Sequence, residues 1–163
     1  MHKVIVIGCS GAGKSTFARR LRDETGLPLY HLDLIWHKAD RTTISREEFD
    51  DALERIMQTE AWIIDGNYGR TMERRIAMCD TVFFLDMPTE VCLAGAEARV
   101  GKKRDDMPWI EESFDESFRE WILSFSEQHL PQIRDLLLRY ADKRIIVFHS
   151  WDEINAFDFQ EII

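Results

Sequence analysis

The chain has 163 residues, enough for one domain with a sizeable apolar core and too few for two ordinary ones, so residues 1–163 are read as a single domain. Its 21 Lys and Arg against 30 Asp and Glu leave a net charge of −9, which argues against a sequence-blind grip on nucleic acid and requires any anionic ligand to be held locally. Three cysteines, Cys9, Cys79 and Cys92, without C-x-x-C spacing speak against a disulfide framework or a zinc ribbon. No apolar stretch approaches the roughly 18 residues of a membrane helix, and the chain opens without a signal-like apolar region. A cytoplasmic protein with reduced thiols and no membrane association is expected.

In chain order, KVIVIG (3–8) is a short apolar run of strand length, followed by a helical pattern over 14–24 that Gly26-Leu27-Pro28 stops. PLYHLD (28–33) reads as a second strand, and SREE (45–48) is a capping box with Ser45 as N-cap, opening a helix over 46–59. AWIIDG (61–66) and TVFFLD (81–86) are the third and fourth strands, alternating with helical stretches over 70–78 and 89–103. A long pattern over 115–142 places Trp121, Ile122, Phe125, Leu130, Ile133, Leu136 and Leu137 at core spacing. Pro131 breaks or kinks it, which leaves one helix or two. RIIVFHS (144–150) is a fifth strand, and a last helix follows SWDE. The strands show little polar alternation, as strands buried on both faces do, and their alternation with helices predicts an α/β fold with a parallel sheet.

Between the first strand and the first helix lies GCSGAGKS. Gly8, Cys9, Ser10, Gly11, Ala12, Gly13, Lys14 and Ser15 fit G-x-x-x-x-G-K-[ST] in the context where that pattern has meaning. Glycines let the loop wrap closely around phosphate, so that backbone N–H groups and the helix N-terminus face it. Lys14 is then expected at the β- and γ-phosphates and the Ser15 hydroxyl at Mg²⁺, with Thr16 beside it. The run does not fit the dinucleotide pattern G-x-G-x-x-G, and ADKR (141–144) does not fit the N-K-x-D reader of GTP-specific switches. The expected ligands are therefore ATP and Mg²⁺.

WIIDGNYGRTMERRI and VFFLDMPTEVCL resemble segments of the adenylate-kinase-like branch of P-loop proteins, and HLDLIW, IIDGNYG, KKRDDM and FDESFREWI are similar to the group labelled DNA topology modulation proteins, related to FlaR. The resemblance implies a P-loop NTPase fold, with a five-stranded parallel sheet in the order 2-3-1-4-5 flanked by helices and a short lid at about 99–115. It brings the third strand beside the first, so Asp65 would stand next to Ser15 and hold the metal with it, directly or through water. Asp33, at the end of the second strand, would contact the phosphoryl acceptor, and a carboxylate there suits a hydroxyl acceptor whose proton it takes. Trp36, Asn67, Tyr68 and Arg70 would line the acceptor side of the same cleft. Asp86 is read as the N-terminal partner of the following helix.

Arg99, Lys102, Lys103 and Arg104 fall where the family carries a lid that brings cations over the transferring phosphate, and of these Arg99 and Arg104 are the expected catalytic ones alongside Lys14 and Asp33. The earlier of the family's two lid arginines falls on Gly95, so these cations would act alone or with Arg119. His129 and His149 have no metal-ligand spacing, and the HSWDE loop lies where relatives contact adenine. Two functions follow: ATP- and Mg-dependent phosphoryl transfer to a small-molecule or nucleotide acceptor, or a nucleotide-gated regulatory or DNA-associated ATPase. The charge and the lid-like segment favour the first.

Overall fold

A computed structural model describes residues 1–162. Five parallel strands, β1 (Lys3–Gly8), β2 (Leu29–His31), β3 (Trp62–Asp65), β4 (Thr81–Leu85) and β5 (Arg144–Phe148), form one sheet in the order β2-β3-β1-β4-β5. The order is the one the resemblance implied. Every residue of β3 and β4, and Val4–Gly8 of β1, is buried, as strands covered on both faces require, whereas β5 lies at an edge and leaves Arg144 and Val147 exposed. β3 pairs with β1 so that Val6 lies opposite Asp65, and β4 takes the other side of β1 with Gly8 opposite Leu85. Asp65 at the end of β3 and the glycine-rich loop after β1 therefore leave the sheet side by side.

The helices are α1 (Lys14–Thr25), α2 (Leu32–Trp36), α3 (Arg46–Met57), α4 (Gly69–Met78), α5 (Thr89–Ala98), α6 (Glu116–Gln128), α7 (Leu130–Arg139) and α8 (Trp151–Ala156). Helix α1 lies across β1, β2 and β3 and drives Phe17, fully buried, into a cluster with Phe83, Phe148 and Phe159 at centroid distances of 4.9, 5.6 and 5.9 Å. The Ser45 capping box is present: its side chain accepts from the Glu48 N–H while the Glu48 carboxylate accepts from the Ser45 N–H.

Several boundaries differ from the sequence reading, each for a local reason. β2 stops at His31 and the chain turns at once into α2, so Asp33 sits in the first turn of a short helix instead of ending the strand. Pro131 occupies the first turn of α7, where its missing N–H costs nothing, and His129 separates two helices. α5 ends at Ala98, five residues short of expectation, and residues 99–115 form neither helix nor strand. Within that segment the Gly101 N–H donates to the Glu111 carbonyl at 2.7 Å, closing a loop. Asp86 does not cap α5, whose N-cap is Pro88; its carboxylate pairs with Arg134 of α7 at 3.0 Å.

Because Phe17 ties α1 to three other aromatic rings of the core, Phe17→Ala should cost about 3–5 kcal/mol of unfolding free energy, measured by urea denaturation.

Candidate active site

The loop between β1 and α1 opens onto a cleft of about 410 Å³. Its walls come from the loop itself, from Thr16 and Arg19 on α1, from Asp33 of α2, from Asp65 and Gly66 at the end of β3, from Gly95 and Arg99 of α5 and its end, from Lys103 to Asp106, and from Trp151. Five cationic side chains and four carboxylates line it, so a chain of net charge −9 keeps a locally balanced to slightly positive site. Such a local balance is what a site for an anion would need on a chain of this overall charge.

The loop is held from three directions. Asn67 clamps its start, accepting from the Gly8 N–H at 3.0 Å and donating its amide to the Gly8 carbonyl. The Lys14 ammonium crosses the loop to the Cys9 carbonyl at 3.0 Å. Behind it, α5 packs backbone against backbone: a Cβ on Gly11 would lie 1.9 Å from the Cys92 carbonyl oxygen, and one on Gly95 would lie 2.1 Å from the Gly11 carbonyl oxygen. The absence of a side chain at 95 is thus what lets the helix reach the loop. An arginine could not stand there without pushing α5 away.

Ser15 is the meeting point of the polar groups. Its Oγ lies 2.7 Å from Asp65 Oδ2 and 2.7 Å from Asp106 Oδ2. Asp65 Oδ2 also meets His31 Nδ1 at 2.7 Å, and Asp65 Oδ1 is buried without a hydrogen-bond partner. Asp106 is gripped by Arg104, whose Nε donates to Oδ1 at 3.0 Å and Nη2 to Oδ2 at 2.7 Å, while Nη1 donates to Glu111 at 3.0 Å. Burial works against ionisation of Asp106, but the Arg104 guanidinium and the Ser15 hydroxyl outweigh it and hold the carboxyl well below the usual range. Arg99, half-buried with its Nε unpartnered, is pulled below the usual arginine range by burial and by the neighbouring Arg104 charge.

The donor set fits a hard divalent cation, which takes carboxylate and hydroxyl oxygens and completes its shell with phosphate oxygens and water. Ser15 and Asp65 supply such oxygens at the mouth of the loop, and the orphaned Asp65 Oδ1 leaves acceptor capacity unused. The loop fits phosphate by its shape and by the helix N-terminus behind it.

The structure brings Lys14, Ser15, Thr16, Asp33, Asp65, Arg99 and Arg104 to one cleft, together with Ser10, Gly11 and Gly13 of the loop. Four expected acceptor-side residues do not line it. Arg70 points to the surface and pairs with Asp50 at 2.6 Å. Asn67 is spent on Gly8. Trp36 stands edge-on to Phe49 with centroids 5.6 Å apart, and Tyr68 stacks on the same ring at 5.2 Å while its hydroxyl donates to Asp33 Oδ1 at 2.7 Å. Burial, with the Asp33 charge adding to it, pushes the Tyr68 phenol up, so it remains a donor to Asp33. Of the basic stretch, Lys102 lies outside the cleft, and Arg119 pairs with Glu116 at 3.7 Å on its own helix.

The turn that redirects these side chains is set by Arg75. It is fully buried and donates to the carbonyls of Gly66, Asn67 and Tyr68, and burial lowers it to about 10, so it stays charged at neutral pH. Sequence reading passed over it, although its place beside Ile76 and three residues after Met72 puts it on the apolar face of α4. His31, Arg19 and Asp106 were also missed. Asp106 had one visible signal, a carboxylate directly after a run of cations in KKRDDM.

Solved structures share this architecture. Shikimate kinase from Acinetobacter baumannii in complex with shikimate superposes with a TM-score of 0.62 at 15% identity, over 92% of this chain and 84% of that one. Shikimate kinase from Bacteroides thetaiotaomicron gives 0.58 at 16% identity over 90% and 85%, and that from Aquifex aeolicus gives 0.52 at 19% over 98% and 90%. The chain thus has the P-loop NTPase fold. No protein-family model matches the sequence, and no curated protein matches it.

Gly95→Ala should lower stability by about 1–3 kcal/mol, the usual cost of overpacking, because neither backbone flanking the new methyl can yield cheaply. Gly69→Ala, whose Cβ meets nothing within 4 Å, should be neutral or slightly stabilising in the same thermal melts.

Proposed function

We propose that the protein is a kinase that transfers the γ-phosphoryl group of ATP to a hydroxyl of a small molecule, with Mg²⁺ as cofactor. The observation that carries this reading is the convergence of Lys14, Ser15, Asp65 and Asp33 on the cleft that Arg99, Lys103 and Arg104 overhang. The fold shared with shikimate kinases supports it, and the acidic charge speaks against a DNA-directed role. HLDLIW, IIDGNYG and KKRDDM, which carry the resemblance to the topology modulation proteins, each contribute residues to this cleft, which supports placing the chain with that group and reading its activity as phosphoryl transfer.

In the proposed reaction the loop's N–H groups and Lys14 hold the β- and γ-phosphates, Lys14 giving up the Cys9 carbonyl to do so. Mg²⁺, when bound, neutralises charge on the phosphate oxygens. The acceptor hydroxyl forms a new bond to the γ-phosphorus as the bond to the β–γ bridging oxygen breaks, and the hydroxyl proton passes to Asp33, which leaves ADP and a phosphate monoester. Tyr68 orients Asp33 through its hydrogen bond. The segment 99–115 acts as a lid whose Arg99 and Lys103 meet the charge on the transferring group and keep water from competing. Trp151 and Arg19 form the outer wall on the nucleotide side.

ATP with Mg²⁺ should stabilise the fold by about 2.7 kcal/mol at a hundredfold excess over Kd, and Lys14→Ala should remove most of that gain in a thermal-shift assay. An unchanged shift in the variant would overturn the nucleotide reading. The acceptor is found by screening hydroxylated metabolites for ATP-dependent phosphorylation. With it in hand, Asp33→Asn should lower transfer by about 10² to 10⁴-fold at near-normal ATP affinity. Asp65→Asn should instead weaken Mg-ATP binding and depress background hydrolysis as well, with partial rescue by excess Mg²⁺. Rescue of Asp33→Asn by Mg²⁺, with Asp65→Asn binding Mg-ATP normally, would show the two roles to be reversed.

A further inference from the structure

We propose that Asp106, carried on the segment between α5 and α6, is a direct ligand of the divalent cation held by Ser15 and Asp65, so that metal loading and closure of this segment over the P-loop are one event. The inference rests on the Mg-ATP reading above and extends it to a residue far along the chain. Its first support is a proton count. A serine hydroxyl carries one proton and can donate it once. Ser15 Oγ nevertheless lies 2.7 Å from an oxygen of Asp65 and 2.7 Å from an oxygen of Asp106. With both carboxylates ionised, the one that does not take the proton faces the serine oxygen lone pair to lone pair at hydrogen-bond distance. A cation drawn to all three oxygens relieves that conflict.

The second support is independent of the contact itself. The Asp65 side chain is only 5% exposed, and its Oδ1 has no hydrogen-bond partner. A buried carboxylate oxygen left unpaired is costly, and a metal is one of the partners that satisfies it. The three oxygens also come from three separate elements: the start of α1, the end of β3 and the segment after α5. Two carboxylates with a hydroxyl match the hard-oxygen preference of Mg²⁺, which keeps further positions for phosphate and water.

The surroundings hold Asp106 in place for this role. Arg104 grips both of its oxygens and ties them to Glu111, and Gly101 closes the loop onto the Glu111 carbonyl. Each carboxylate oxygen has two lone pairs, so Asp106 Oδ2 can keep Arg104 and still face the metal. On the other side His31 Nδ1 anchors Asp65 Oδ2. Arg104 is therefore a positioning residue for Asp106, and the cations left to meet phosphate from this segment are Arg99 and Lys103.

Manganese provides the test, because electron paramagnetic resonance counts free Mn²⁺ directly. Wild type and Asp106→Asn are titrated with Mn²⁺ at saturating ATP, and ATP affinity is measured separately in EDTA. The variant should bind ATP in EDTA as wild type does, which also shows that it is folded, while its affinity for Mn²⁺ in the ternary complex falls at least tenfold. Unchanged Mn²⁺ affinity overturns the proposal. Tighter ATP binding by the variant with and without metal also overturns it, since Asp106 would then be a carboxylate plug occupying the phosphate's place. Wild type that binds ATP through Lys14 with no dependence on Mn²⁺ sinks this inference alone, whereas no ATP binding at all sinks the nucleotide reading with it. Hydrogen exchange on the unmodified chain gives an answer even if the variant does not fold. Amides of residues 100–112 should slow several-fold in Mn-ATP relative to ATP with EDTA, and equal exchange in the two conditions overturns the coupling.

Discussion

Everything at the candidate site depends on β3 lying directly beside β1. Parallel pairing with Val6 opposite Asp65 brings a carboxylate and the glycine-rich loop out of the sheet as neighbours, and Ser15 at the head of α1 lies within a hydrogen bond of that carboxylate. The turn after β3 then serves the loop a second time. Asn67 pins the Gly8 backbone from both sides, and Arg75 holds the carbonyls on which that turn is built. A buried guanidinium whose two terminal nitrogens donate to three carbonyls, its Nε left without a partner, makes a bend that also carries Tyr68, and through it Asp33. One strand order thereby positions the glycine-rich loop, Asp65 and Asp33 together.

The second constraint is the contact between α5 and the loop. Gly11 and Gly95 meet with no room for a methyl group on either side, so the helix supports the loop with backbone alone. The consequence for electrostatics is positional. A cationic side chain cannot stand at position 95 of α5, and on this side of the cleft positive charge comes from beyond the helix end, where Arg99, Lys103 and Arg104 lie on an irregular segment that forms neither helix nor strand. The two carboxylates at 105 and 106 keep this cluster from being a plain cationic patch.

How much could be read in advance depended on the range of the interaction involved. The apolar runs, the capping box at Ser45 and the G-x-x-x-x-G-K-[ST] loop are local patterns, and they stand where expected. Asp65 followed once a strand order was assumed, because that order makes it a neighbour of Ser15. Asp33 was legible as a residue but not as a helical one, since a three-residue strand running straight into a five-residue helix leaves too few positions for periodicity to register. Arg70 and Arg75 illustrate the limit most clearly. The family resemblance pointed to the first, yet Asp50 on a different helix claims it, and the second holds the turn from the interior.

What the sequence determined by itself is what depends on neighbours within a few residues: the alternation of strands and helices and the G-x-x-x-x-G-K-[ST] loop between the first of each, with a net charge of −9 set by composition alone. The tertiary structure decided where the side chains of the turn after β3 point, why position 95 must be glycine, and that Asp106 reaches Ser15 across 91 positions of chain. The physical reason is that hydrogen bonds and close packing act over a few ångströms of space. Composition and periodicity report only on separation along the chain, and these contacts join segments that the chain order keeps apart.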